Sequence, residues 1–198
     1  MIMRVAITGG IACGKSLFSN YLSQLGVDIL DADDVVHRLE EPGGVAVHAI
    51  IDLFGECVRR SDGGINRAAL GTCVFQDETA RARLNGVVHP LVKAAIQAWL
   101  AEPSPRMKAA VIPLLFEEGW DAEWDVIICL VSSEAIQLER LMRVRGLSEE
   151  QARRRIAAQM PAAEKAARAH LVVNNDADAA ALAQEAGRVY RFLTKRYE

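Results

Sequence analysis

The sequence predicts an α/β protein: a three-layer core in which helices cover both faces of a parallel sheet, carrying an inserted helical domain and a helical lid. Three observations predict it. Short apolar runs alternate with segments of helical period along most of the 198 residues. Two of those runs, 108–115 and 125–131, are apolar without alternation, the pattern of parallel strands buried on both faces. The stretch 45–100 shows helical periodicity and no convincing strand, so it reads as an insertion. The length fits a single domain spanning 1–198.

The chain begins with a strand at 4–8 ended by Gly9-Gly10, then a helix at 15–25 with Leu17, Phe18, Tyr21, Leu22 and Leu25 at helical spacing. A strand at 27–30 runs into Asp31-Ala32-Asp33-Asp34, which places carboxylates at its C-terminal end. Val35, Val36 and Leu39 then suggest a helix stopped by Pro42-Gly43-Gly44. Helices follow at 45–54, 67–74 and 79–100, with a turn at 61–64. Inside the last of these, His89-Pro90 reads most simply as a helix-boundary turn with a satisfied imidazole. After the strands at 108–115 and 125–131 come helices at 134–144 and 148–158 across Gly146, a strand at 171–174 and a closing helix at 179–195. Right-handed crossovers gather the loops after the strands at one edge, where ligands bind in such sheets.

Composition excludes several classes. Hydrophobic residues make up 51% and charged residues 25%, enough for a packed core. A net charge of −3 offers no global attraction to nucleic acid or an anionic membrane, so neither is expected as a partner. Cys13, Cys57, Cys73 and Cys129 are scattered without a C-x-x-C pair, which argues against zinc and against a disulfide framework. No apolar run approaches the roughly 18 residues of a membrane span. The first residues, Met1-Ile2-Met3-Arg4-Val5, lack the blocks of a signal peptide, so a cytoplasmic location is expected.

Gly9-Gly10-Ile11-Ala12-Cys13-Gly14-Lys15-Ser16 matches G-x-x-x-x-G-K-[ST] between a predicted strand and a predicted helix. Glycines let backbone N–H groups turn inward around an anion, and the helix adds the positive end of its dipole. Lys15 then reaches the β- and γ-phosphates, and Ser16 offers an oxygen to Mg²⁺. The glycines at 9, 10 and 14 do not form G-x-G-x-x-G, which argues against a dinucleotide. A nucleoside triphosphate site follows.

A nucleotide-gated switch is disfavoured because no N-K-x-D string occurs for guanine. A motor ATPase finds only a weak second motif in Val111-Ile112-Pro113-Leu114-Leu115-Phe116-Glu117-Glu118. A small-molecule phosphotransferase is favoured, since the helical insertion suits an acceptor site. Asp31-Ala32-Asp33 is its next part: a carboxylate there can take the proton of an acceptor hydroxyl as the phosphoryl arrives. The bland alternative is that Asp33 or Asp34 merely caps the following helix. The third part is basic: Arg140, Arg143, Arg145, Arg153, Arg154, Arg155, Lys165 and Arg168 lie close together in the chain. They read either as a solvated surface or as a lid that closes over ATP.

The ordered set of these motifs resembles the dephospho-coenzyme A kinase family. The resemblance rests on Ile7-Thr8-Gly9-Gly10-Ile11 with Gly14-Lys15-Ser16, Asp31-Ala32-Asp33, Glu41-Pro42-Gly43, Arg67-Ala68-Ala69-Leu70 with Val74-Phe75, and His89-Pro90. It continues through Pro113-Leu114-Leu115-Phe116-Glu117, Gln137 with Arg140, Gln159 and Asn175. It implies ATP-dependent phosphorylation of the ribose 3′-hydroxyl of dephospho-coenzyme A, by a monomer or small homo-oligomer. It implies a P-loop kinase core with a coenzyme A-binding insertion at 56–100 and a lid at 138–168. Asp33 would be the general base, with Lys15 and Arg140 on the phosphates and Ser16 on Mg²⁺. Gly10, Ile11, Ala12, Cys13, Gly14, Lys15, Ser16 and Leu17 would cradle ATP, with Asn175 near its adenine. Arg67, His89 and Glu117, with Asp33, would line or support the acceptor pocket. Ala12 stands where the family commonly has glycine, Cys13 where serine is common, Val144 where arginine is frequent and His170 where aspartate is frequent.

Overall fold

The first strand explains why the sheet forms: in Arg4–Gly9 every side chain after Arg4 is buried, so both faces of the strand need covering. A computed structural model describes residues 3–75 and 77–197; Met1, Ile2, Gln76 and Glu198 lie outside the described residues. The chain divides into two compact units, one of residues 1–30 with 104–198 and one of residues 31–103.

The first unit holds the sheet. Its strands are β1 (Arg4–Gly9), β2 (Asp28–Asp31, whose last residue opens the second unit), β3 (Lys108–Val111), β4 (Val126–Val131) and β5 (Leu171–Asn174). Their order is β2-β3-β1-β4-β5, and β1 pairs in parallel with both β3 and β4. The central strand thus carries the glycine loop at its C-terminal end. Gly9 pairs with Leu130, and a Cβ on it would stand 2.2 Å from the Leu130 carbonyl oxygen, so the approach of β1 to β4 requires glycine. Helices α1 (Lys15–Gln24), α6 (Glu134–Arg145), α7 (Glu149–Ala157), α8 (Ala162–Arg168) and α9 (Ala179–Tyr197) complete this unit. Val5, Ile7, Phe18, Leu22, Val111, Ile128, Leu130, Leu182 and Leu193 form its core. Each contributes roughly 1.5–3 kcal/mol by leaving water.

The second unit is helical: α2 (Ala32–Glu40), α3 (Val47–Phe54), α4 (Arg67–Val74) and α5 (Glu78–Ala101), a span that includes the expected 56–100 insertion. The helix at α5 runs through His89-Pro90, where the sequence suggested a boundary. A proline inside a helix costs about 3 kcal/mol, partly by clashing with the carbonyl four residues back. Val88, Val92 and Ile96, one turn apart and buried, offset that cost at roughly 1.5–3 kcal/mol each.

Other differences are local. The strand expected at 108–115 stops at Val111, and the chain turns from Pro113 onward. The acids after β2 start a helix: Asp31 caps it, and Asp33 and Asp34 lie in its first turn. Helix α8 was not predicted, being only seven residues rich in alanine. His170 accepts the Ile127 N–H on its Nδ1 at 3.0 Å. Among the described residues no helix is long and apolar enough to cross a membrane.

Candidate active site

The loop between β1 and α1 is shaped for an anion. Gly9 and Gly14 have φ of 139° and 88°, and a Cβ on Gly14 would meet Asn175 Nδ2 at 2.1 Å. Ala12, the residue that departs from the family's glycine, has φ of 58° and is the only described non-glycine residue in the left-handed region. Helix α1 has no side-chain cap and no acid in its first turn, whereas α2 is capped by Asp31 and α7 by a Ser148–Gln151 capping box. An uncapped first turn, with the helix dipole behind it, suits phosphate. Lys15 Nζ donates to the Gly9 and Gly10 carbonyls at 2.9 and 2.8 Å, which keeps the ammonium against the loop.

Side chains from α6 and from the segments after α7 and β5 brace this loop. Arg140 donates from Nη1 to the Ala12 carbonyl at 3.1 Å and to Ser132 Oγ at 3.2 Å, and from Nη2 to the Asn175 carbonyl at 2.8 Å. Asn175, buried, donates from Nδ2 to the Cys13 carbonyl at 2.9 Å. Gln137 Nε2 donates to the Ile11 carbonyl and Gln159 Oε1 accepts the Ile11 N–H, both at 2.7 Å. Cys13 is buried beneath the loop; burial raises its thiol pKa, and the Lys15 charge opposes that shift in part. Cys129 is pushed up to about 11, also chiefly by burial. Ser16 and Leu17 are exposed on the first turn of α1.

Glu117 Oε1 meets the fully buried ammonium of Lys165 at 2.7 Å and accepts the Met160 N–H at 3.1 Å. Lys165 also donates to the Pro113 carbonyl at 3.0 Å. Elsewhere in the basic segment Arg143, Arg153 and Arg154 pair with surface acids, while Arg168 pairs with Asp121 and lies 4.6 Å over the Phe116 ring.

Lys15, Arg140, Asn175 and Glu117 therefore belong to the sheet unit, and Asp33, Arg67 and His89 to the helical unit. The Asp31 carboxylate accepts the Asp33 N–H at 2.9 Å, so capping falls to Asp31 and the exposed Asp33 side chain is spared it. Arg67 Nε donates to the buried Glu40 carboxylate at 2.5 Å, and its Nη1 lies against His37 Nε2. His89 lies half-buried within α5.

Sequence reasoning used Gln137 and Gln159 only as marks of the resemblance, counted Lys165 only among the cations of the basic segment, and singled out neither Ser132 nor Glu40. A signal existed for Lys165: it stands at helical spacing with Ala162, Ala166 and Ala169, three half-buried alanines, and is itself fully buried. The glutamines carry no such signal, since an amide bonded to a loop backbone has no characteristic spacing.

A parallel sheet with a glycine loop at the C-terminal end of its central strand, an uncapped helix and an adjacent lysine define a P-loop phosphotransferase core. The model of the family described as dephospho-CoA kinase matches residues 3–181. The chain belongs to the dephospho-CoA kinase family. It is 40% identical over 182 residues to a dephospho-CoA kinase of Geobacillus kaustophilus, covering 89% of each chain. The solved dephospho-CoA kinase of Campylobacter jejuni is 27% identical with a TM-score of 0.76, and each chain is covered completely. A shikimate kinase of Acinetobacter baumannii shares the fold at 12% identity and a TM-score of 0.54, covering 99% of this chain and 95% of that one.

Proposed function

We propose that the chain transfers the γ-phosphoryl group of ATP to the ribose 3′-hydroxyl of dephospho-CoA, giving CoA and ADP in the last step of CoA biosynthesis. The family match across residues 3–181 carries this reading. The loop supports it, because its glycines at positive φ, the uncapped start of α1 and Lys15 suit a triphosphate.

Asp33 is the proposed base: exposed and relieved of capping, its carboxylate takes the hydroxyl proton as the oxygen attacks phosphorus and ADP leaves. Lys15 exchanges the Gly9 and Gly10 carbonyls for the β- and γ-phosphates. Arg140 keeps a fixed positive charge beside the loop, where it stabilises charge developing on the transferred group. Asn175, its amide committed to Cys13, supports the wall beside adenine. Arg67, oriented by Glu40, and His89 serve the acceptor, and Glu117 supports that pocket rather than lining it because Oε1 is committed to Lys165 and Met160.

No cluster of three His, Cys, Asp or Glu suited to a metal exists among the described residues. Mg²⁺ fits this donor set all the same, since it commonly rests on substrate phosphates, waters and few protein oxygens, here the Ser16 hydroxyl. When bound it neutralises phosphate charge. The unbridged cysteines suit a reducing cytoplasm.

The test is ADP release with Mg²⁺-ATP and dephospho-CoA, adenosine, AMP or no acceptor, with the product weighed by mass spectrometry. Turnover confined to dephospho-CoA and yielding CoA is expected; turnover confined to another acceptor, or hydrolysis alone, would overturn the assignment.

A further inference from the structure

Both backbone polar groups of Ile11, its N–H and its carbonyl, are held by side-chain amides from outside the loop. Gln137 in α6 donates to its carbonyl, and Gln159, in the turn between α7 and α8, accepts its N–H, each at 2.7 Å. The turn carrying Gln159 is itself pinned: the next residue, Met160, gives its N–H to Glu117 Oε1 at 3.1 Å, and the same oxygen meets Lys165 Nζ at 2.7 Å. Lys165 is fully buried and also holds the Pro113 carbonyl at 3.0 Å, while Thr8 Oγ1 donates to that carbonyl at 3.4 Å. Thr8 lies one residue before the loop's first glycine. Two routes thus run from the Glu117–Lys165 pair to the loop, one through Gln159 to Ile11 and one through Pro113 to Thr8.

A buried ion pair is a poor source of stability, because desolvating two charges offsets most of their attraction, and well-packed apolar residues often do as well. Glu117 Oε2 accentuates this, being buried with no hydrogen-bond partner. What the pair does supply is direction: a two-point, charge-assisted anchor fixes the turn more narrowly than apolar packing. Phosphoryl transfer depends on such placement, since donors must already point at the transferred group when charge develops.

We propose that Gln159, held by the Glu117–Lys165 pair, is a positioning residue that sets the Ile11 peptide and through it the N–H groups of the phosphate loop. The proposal rests on the phosphotransferase reading above. It gives Glu117 and Lys165 a role at the phosphate loop and predicts that their loss is felt at ATP.

Three variants and one combination of them test it. Gln159→Leu keeps the volume and removes the acceptor. Glu117→Leu combined with Lys165→Met removes the anchor without leaving a buried charge unpaired. The readouts are kcat, KM for ATP, KM for dephospho-CoA, nucleotide affinity without acceptor, the Ile11 amide resonance and the unfolding midpoint. We expect Gln159→Leu to lower kcat/KM for ATP by about tenfold to a hundredfold, to shift the Ile11 amide, and to leave KM for dephospho-CoA within twofold. The anchor variant should shift the same resonance, and adding it to Gln159→Leu should lower kcat/KM little further, as expected of parts of one unit. Gln159→Glu, which retains an acceptor oxygen, should restore the Ile11 resonance toward its original position.

Unchanged ATP kinetics with an unshifted Ile11 amide in Gln159→Leu would overturn the proposal. So would an anchor variant that lowers the midpoint while leaving the amide and ATP kinetics alone, which is the signature of a purely structural pair. If the parent protein does not turn over dephospho-CoA, the functional reading fails by that result alone; nucleotide affinity and the Ile11 resonance still decide the positioning role.

Discussion

Arg140→Lys separates charge from geometry at the phosphate loop. The guanidinium sends three hydrogen bonds in two directions, to the Ala12 carbonyl and Ser132 Oγ from Nη1 and to the Asn175 carbonyl from Nη2, at 2.8–3.2 Å. Lysine keeps the charge but concentrates it on one nitrogen at the end of a flexible stem, so it cannot span both directions. Hydrogen bonds from a charged donor contribute about 1.5–3 kcal/mol each, and part of the loss is recovered by water at this half-buried site. A net loss of about 1.5–3 kcal/mol at about 2–4 °C per kcal/mol for a chain of this size gives a midpoint lowered by about 3–12 °C. If bracing matters to the chemistry, kcat should fall by about a hundredfold even though the charge survives. The assays are calorimetric unfolding and steady-state kinetics of Arg140→Lys beside Arg140→Met. A lysine variant with the parent's midpoint and turnover would refute the bracing argument, and one with the parent's midpoint but low turnover would confine Arg140 to the phosphates.

The two acids of α2 should part company. Asp33→Asn is expected to lower kcat by about 10²–10⁴ with little change in ATP affinity, whereas Asp31→Ala, which removes the cap on Asp33 N–H, should cost about 0.5–2 kcal/mol of stability; retained turnover in Asp33→Asn would remove its assignment as base. Ala12→Gly should raise the unfolding midpoint slightly, because relieving an L-residue at φ 58° returns about 1–2 kcal/mol against the roughly 0.5–1 kcal/mol that glycine costs in the unfolded chain; Ala12→Val should lower it, and the reverse order would contradict the strain. Iodoacetamide at neutral pH should label exposed Cys57 and spare Cys13 and Cys129, whose thiols burial holds above the ordinary value and therefore protonated. Rapid labelling of Cys13 in the folded protein would show that the loop opens.

The fold was legible where one physical signal dominated. Strand β5 lies at the predicted 171–174 and helix α4 at 67–74, both bounded by changes of pattern in the sequence itself. The errors fall where tertiary contacts override local chemistry. At Pro90 the buried stripe of α5 outweighs the proline. At 112–115 the apolar run continues past the strand because Ile112 and Leu115 are buried in a turn, and apolar content alone does not distinguish a buried turn from a strand. Among the acids the pattern placed a cap within Asp31–Asp34, and only the backbone shows that Asp31 takes it.

At the site, sequence shows what touches a ligand more readily than what holds the ligand's surroundings. Glycines at positive φ, a lysine and a serine announce a phosphate loop because the chemistry demands those residue types at that spacing. The bracing residues face no such demand: any donor at the right height can meet the Ile11 carbonyl, and Gln137 does so from a helix in which Glu134, Glu139, Arg143 and Arg145 are exposed. The charge count between 138 and 168 illustrates the difference. It weighed Arg140, Lys165 and Arg153 alike, yet the first braces the loop, the second is buried against Glu117, and the third pairs with Glu134 and Glu149 in the open. Net charge records how many cations a segment has, whereas burial and partners decide which of them can act on a phosphate.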